Sequence, residues 1–176
     1  MSKQEFFLLI PAIIYGVAIV DLLKIFAHKE NYFEMVGWGV FYLLATIIMW
    51  MELYNLLGAI TSSNLSFVLI IFQSILYARG AGIITPEEKD TDTKAYFMSV
   101  KKSFFLLMAS ISLCNMLIQF VVREDNRPVW FRLIMVVLAI SLAYWDKLWY
   151  RMTILVLLYG VVLLQLSIEG GLFGSQ

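Results

Sequence analysis

Six apolar stretches, each close to the thickness of a bilayer in helical length, constrain this chain more than any other feature. They run Phe6–Phe26, Phe33–Tyr54, Ser62–Ala78, Phe104–Val122, Val129–Trp145 and Leu148–Ser167. A helix rises about 1.5 Å per residue, so roughly 20 apolar residues cross a hydrocarbon core of ~30 Å. The runs are continuous rather than alternating, which argues against a membrane β-barrel. Of the 176 residues, 61% are hydrophobic and 15% charged, against about 45–50% and 25% in a soluble domain. A soluble chain of this size exposes too much surface to hide that excess. The sequence therefore predicts an all-α, six-helix transmembrane bundle, one domain over residues 1–176, with the lipid bilayer as its solvent. Thirteen basic residues against thirteen acidic ones, and a single cysteine, exclude a nucleic-acid binder and a disulfide scaffold.

Orientation follows from the basic residues. Lys3, Arg123, Arg127 and Arg132 share the side of the termini; the other nine Lys and Arg fall opposite. This places both termini outside the cytoplasm. The first stretch reads as a retained span rather than a signal peptide, since Met1–Glu5 has no net positive charge and no small-x-small site follows. Trp38, Trp50, Tyr54, Trp130, Phe131, Tyr144, Trp145, Trp149 and Tyr150 read as headgroup anchors.

The one substantial loop, Arg79–Ser103, is expected in the cytoplasm. Gly80-Ala81-Gly82 should break the third helix, and helix starts are expected at Thr85-Pro86-Glu87-Glu88 or at Thr91-Asp92. From the second start, Ala95, Tyr96, Phe97, Val100 and Phe104 share a stripe, so the fourth helix should project beyond the bilayer.

Ionisable groups at membrane depth are costly and are site candidates by default. Asp21 lies inside the first span with Lys24 at i+3, either as a proton or cation site or as a local pair near the headgroups. Glu52 and Asp146 fall near span ends beside aromatics and read as interfacial. On the fourth helix Ser112, Asn115 and Gln119 line one face at i, i+3, i+7, with Ser66 and Gln73 similarly seven apart on the third. Such stripes serve interhelical hydrogen bonds or a polar path. Pro11 can kink the first helix, and Ala12-x-x-x-Gly16 permits close approach, which makes that helix the expected centre of the bundle.

Shifting the chain by 94 residues sets Gly16 on Ser110, Asp21 on Asn115, Ala45 on Ala139 and Glu52 on Asp146. Three spans per unit would make this a 3+3 inverted repeat, a recurring transporter plan. With one histidine, His28, and one cysteine, Cys114, no cofactor and no metal site is expected. No nucleotide or hydrolase motif occurs, so an enzyme is not expected.

The run Pro11-Ala-Ile-Ile-Tyr-Gly-Val-Ala-Ile-Val-Asp21-Leu-Leu-Lys24, with Trp38, Trp50 and the charged stretch Asp92–Lys102, resembles small six-span bacterial integral membrane proteins of unknown function. The resemblance implies a bacterial inner membrane and supplies no activity. Two functional readings remain open. One is a small channel or secondary transporter for a proton, ion or small solute, with Asp21, Lys24, Ser112, Asn115 and Gln119 along its path. The other is a non-transporting sensor, anchor or subunit whose cytoplasmic loop, through Tyr96 and Phe97, recruits a protein partner. A homo-oligomer is compatible with either, across the Ala139 and Ala143 face flanked by Trp130 and Trp145.

Overall fold

A computed structural model of the chain describes residues 3–28, 31–56, 63–88, 91–121 and 129–169. Six helices account for nearly all of them: α1 (Lys3–Leu23), α2 (Phe33–Asn55), α3 (Asn64–Ile84), α4 (Thr93–Val121), α5 (Val129–Tyr144) and α6 (Leu148–Glu169), with a 3₁₀ turn, Lys24–Ala27, after α1. Four segments, Phe7–Ala27, Phe33–Tyr54, Asn64–Ile84 and Thr93–Phe120, are long and apolar enough to cross a membrane. The expected all-α six-helix bundle is what forms.

The helices are apolar on both faces. In α1, Tyr15, Ala18, Leu22 and then Ile25 are buried, while Leu9, Ile13, Val17 and Val20 are exposed. A helix that stays apolar on its outward face fits a lipid surround rather than water. α1 packs against α2 and α3, α3 against α4, and α4 against α5; α2 touches α1, α3, α4 and α6. The hub is therefore α2, not α1 as the small residues implied. Pro11 is buried and α1 runs through it. A Cβ added to Gly16 would meet nothing within 4 Å, so Gly16 is no point of close approach. The contact face belongs to Tyr15 and Ala18, about 60° apart around the helix and roughly 100° and 160° from Gly16.

The glycines of the third helix do not end it. α3 continues to Ile84 because Gly80 is a packing position: a Cβ there would overlap the hydroxyl of Tyr42, which donates to the carbonyl oxygen of Tyr77 at 3.1 Å. The backbone at 85–88 is not helical. Thr85 instead donates through Oγ1 to the carbonyl of Asp21 at 3.2 Å. The second expected start is the one used. Asp92 Oδ1 accepts from the N–H groups of Lys94 and Ala95 at 3.0 and 3.1 Å, an N-cap that satisfies the first orphan donors of α4. With 29 residues, α4 is about 43 Å long and outreaches a ~30 Å core, as expected.

Three expected surfaces are interior. Trp38 is fully buried among Phe41 and Phe105 rather than at an interface. Phe97 is fully buried, and Tyr96 donates its hydroxyl to the carbonyls of Ile83 and Thr85. Phe97 thus presents no surface to a partner, and Tyr96 is half-buried. Ala139 and Ala143 are buried within the chain, Ala139 against Ala109 and Val136. Small side chains let α5 lie close to α4, which consumes the face proposed for self-association. Trp50, Tyr54, Tyr144, Trp145 and Trp149 are exposed at helix ends, where anchors belong; Trp130 and Phe131 lie outside the described side chains. The two halves also pack differently among the described residues: the backbone of α1 lies close against α3, whereas those of α4 and α6 stay apart.

Candidate functional site

The last turns of α1, α3 and α5 share one end of the bundle, here the connection end; the last turns of α2 and α4 lie at the opposite, terminal end. Between α2, α3, α4 and α5 is a pocket of about 370 Å³. It follows α2 from Phe41 to Leu56, a depth of about 22 Å, and reaches the terminal end at Glu52, Gln119 and Arg132. The α2 side is mostly apolar, with Phe41, Ala45, Ile48 and Met49 leading to Glu52 at the mouth. Opposite it, polar groups, Gln73 and Tyr77 from α3 and Ser112 and Asn115 from α4, stand among Met108, Ile111 and Ile118.

The α4 stripe read from sequence is thus assembled as a wall. Gln73 Nε2 donates to Asn115 Oδ1, and Arg132 Nε donates to Gln119 Oε1 at 2.7 Å. These bonds tie α3 to α4 and α4 to α5 along the pocket. The Oε1 atom of Gln73 is buried without a hydrogen-bond partner. An unsatisfied buried acceptor costs roughly 1–3 kcal/mol, which favours a solute or ordered water beside it.

Asp21 and Lys24 do not join this wall. They pair with each other at 2.5 Å, their side chains 29% and 60% exposed, at the connection end of α1. Asp21 does not meet Asn115, because α1 packs on α2 and α3 and does not reach α4. Glu52, read as interfacial, lies in the last turn of α2 and also lines the pocket mouth.

An aromatic layer closes the pocket toward the connection end. Tyr42 stacks near Tyr77 and Phe104, with centroids 5.5 and 5.4 Å apart, and Phe105 lies 4.8 Å from Trp38. All five side chains are buried. Beyond it lies a polar cluster that the sequence reading missed. Arg151 and Glu34 are 2% and 0% exposed. The guanidinium grips the carboxylate with both Nε and Nη2, the second bond 3.0 Å long. Tyr32 donates its hydroxyl to Glu34 Oε2 at 2.8 Å, and its N–H to Thr93 Oγ1 at 2.9 Å. Burial and the bond to Glu34 push the Tyr32 hydroxyl up to about 12. Lys101 bonds Asp146 and holds that carboxyl below its usual range. Together these contacts join the starts of α2, α4 and α6. One signal pointed to them: Arg151 stands in the first turn of an apolar helix and needs a partner.

Among the described residues no three His, Cys, Asp or Glu side chains gather as a metal-ligand set. No protein-family model, curated protein or solved structure matches this chain.

Proposed function

We propose that this protein is a small secondary transporter whose solute site is the pocket between α2 and α5. The carrying observation is a set of polar side chains, Gln73, Tyr77, Ser112 and Asn115, in a mostly apolar pocket inside a bundle with an apolar exterior. Ligand sites are concave, mostly apolar, and carry a few placed polar groups. A cavity open at one end and shut by an aromatic layer at the other suits a carrier that exposes its site to one side at a time, rather than an open channel. The buried Arg151–Glu34 pair supports the reading as the lock of the closed end, because a bidentate pair is one of two discrete arrangements and not a graded contact. Nine basic residues at the connection end against four at the other favour that end as cytoplasmic. The bacterial inner membrane is the membrane that the resemblance implies.

The test is solute uptake into proteoliposomes by the wild type, Asn115→Leu and Asp21→Asn. Uptake by the wild type and by Asp21→Asn, with loss in Asn115→Leu, is the expected pattern. Loss in Asp21→Asn with uptake intact in Asn115→Leu would move the path to α1 and overturn the assignment.

A further inference from the structure

We infer that the pocket takes an uncharged solute, a short aliphatic body ending in one amide-like head, held at Gln73 and Ser112. This rests on the carrier reading and names the class of its solute. Glu52 and Arg132 are the charged side chains of the pocket, and both stand at its mouth. Each already has a partner within the chain, so the pocket holds no spare charge. A charge carried in by the solute would meet no counter-charge away from bulk water, which is costly.

Hydrogen bonding selects the head. Gln73 is 1% exposed. Its Nε2 donates to Asn115 Oδ1, and its Oε1 is buried without a partner. The last torsion of a glutamine side chain is broad and soft, so the amide turns to meet a donor on the solute. Ser112 is half-buried and lines the same pocket. It stands three residues before Asn115 on α4, about 4.5 Å deeper by helical rise, and its hydroxyl gives or accepts a hydrogen bond. A head that gives one bond and takes another bridges the two groups. A primary amide does so without charge: its N–H donates to Gln73 Oε1, and its carbonyl accepts from the Ser112 hydroxyl. The body has an apolar bed in Phe41, Ala45, Met49, Met108 and Met135, and methionine adapts its shape to different aliphatic groups. At about 370 Å³ the space is near the lower end of the ~300–1,000 Å³ typical of ligand pockets, which suits a small solute.

The test uses three probes of one shape: 4-methylpentanamide, 5-methylhexan-2-one, in which a methyl group replaces the amide nitrogen, and 4-methylpentanoate, in which a charged oxygen does. Equilibrium binding to the full chain in nanodiscs, taken over empty nanodiscs, should favour the amide by about tenfold over each of the others, the worth of one hydrogen bond to a buried acceptor. Gln73→Met removes that acceptor at similar side-chain length. It should bring the amide down to the level of the ketone and leave the ketone binding no weaker, which also shows that the variant is folded. Ser112→Ala should weaken amide and ketone alike, since both carry the carbonyl. Equal binding of amide and ketone leaves Gln73 Oε1 to water and overturns the inference. So does tighter binding of the carboxylate, an amide preference that survives Gln73→Met, or no binding of any probe. Entry into proteoliposomes, taken over protein-free vesicles, separates it from the carrier reading. Accelerated entry of 4-methylpentanoate but not of the amide sinks the uncharged solute and keeps the carrier. Amide binding at these ratios without accelerated entry does the reverse.

Discussion

Arg151 and Glu34 are 117 residues apart and form a buried, bidentate ion pair that joins the first turn of α6 to the first turn of α2. The pair holds because each charge has several partners: Tyr32 also donates to Glu34, and Asp146 lies 4.0 Å from Arg151 Nη1. Breaking it by removing one partner leaves an uncompensated buried charge. Glu34→Gln and Arg151→Met should each cost about 3–5 kcal/mol in detergent unfolding. The double variant should cost much less than their sum, since no lone charge remains. Additive losses would show that the two groups act independently.

Gly80 and Tyr42 form a second such pair, sterically rather than electrostatically. Gly80→Ala places a methyl group on the Tyr42 hydroxyl and should cost about 1–3 kcal/mol. Tyr42→Phe removes the clashing oxygen together with its bond to Tyr77 but leaves the ring Cζ 2.6 Å from that methyl group, so in that background Gly80→Ala should cost less without becoming neutral. An unchanged cost would mean that the clash is not at this oxygen.

The Lys101–Asp146 pair gives a pH dependence of stated sign. The folded carboxyl lies below its usual value because Lys101 bonds and attracts it. Its contribution is therefore present above the unfolded value of about 3.9 and is lost as pH falls through the folded one. The difference in melting temperature between the wild type and Asp146→Asn should be constant near neutral pH and shrink below about pH 4. A difference that grows on acidification would contradict the pairing.

Asp21 and Lys24 make the opposite prediction. An exposed i, i+3 pair contributes little, so Asp21→Asn should shift stability by no more than about 0.5 kcal/mol. A loss of several kcal/mol would reveal a buried partner for that carboxylate.

Much of the fold was legible because a continuous apolar run has one outcome in lipid: Phe33–Tyr54 was expected and Phe33–Asn55 forms. The i, i+3, i+7 spacing likewise found the wall of Ser112, Asn115 and Gln119, since residues on one helical face stay together wherever that helix packs. What failed was neighbourhood. Charge and depth made Asp21 a candidate, but which helices touch α1 depends on packing that periodicity does not encode. Glu34 and Trp38 sit near the start of an apolar run, where a headgroup position and a buried one look alike; the partner of Glu34 is far along the chain. Gly80 read as a breaker because a glycine that admits a tyrosine hydroxyl and one that ends a helix are the same letter.

The measurement that tests transport through this pocket most directly is thiol labelling of Ser112→Cys, in a Cys114→Ala background, with a membrane-impermeant reagent on sealed vesicles of each orientation. A residue on the wall of a carrier's site is exposed to each side in turn, so labelling should occur from both sides. Labelling from one side alone would show a fixed pocket, and labelling from neither a dry core; either result contradicts a transporting pocket.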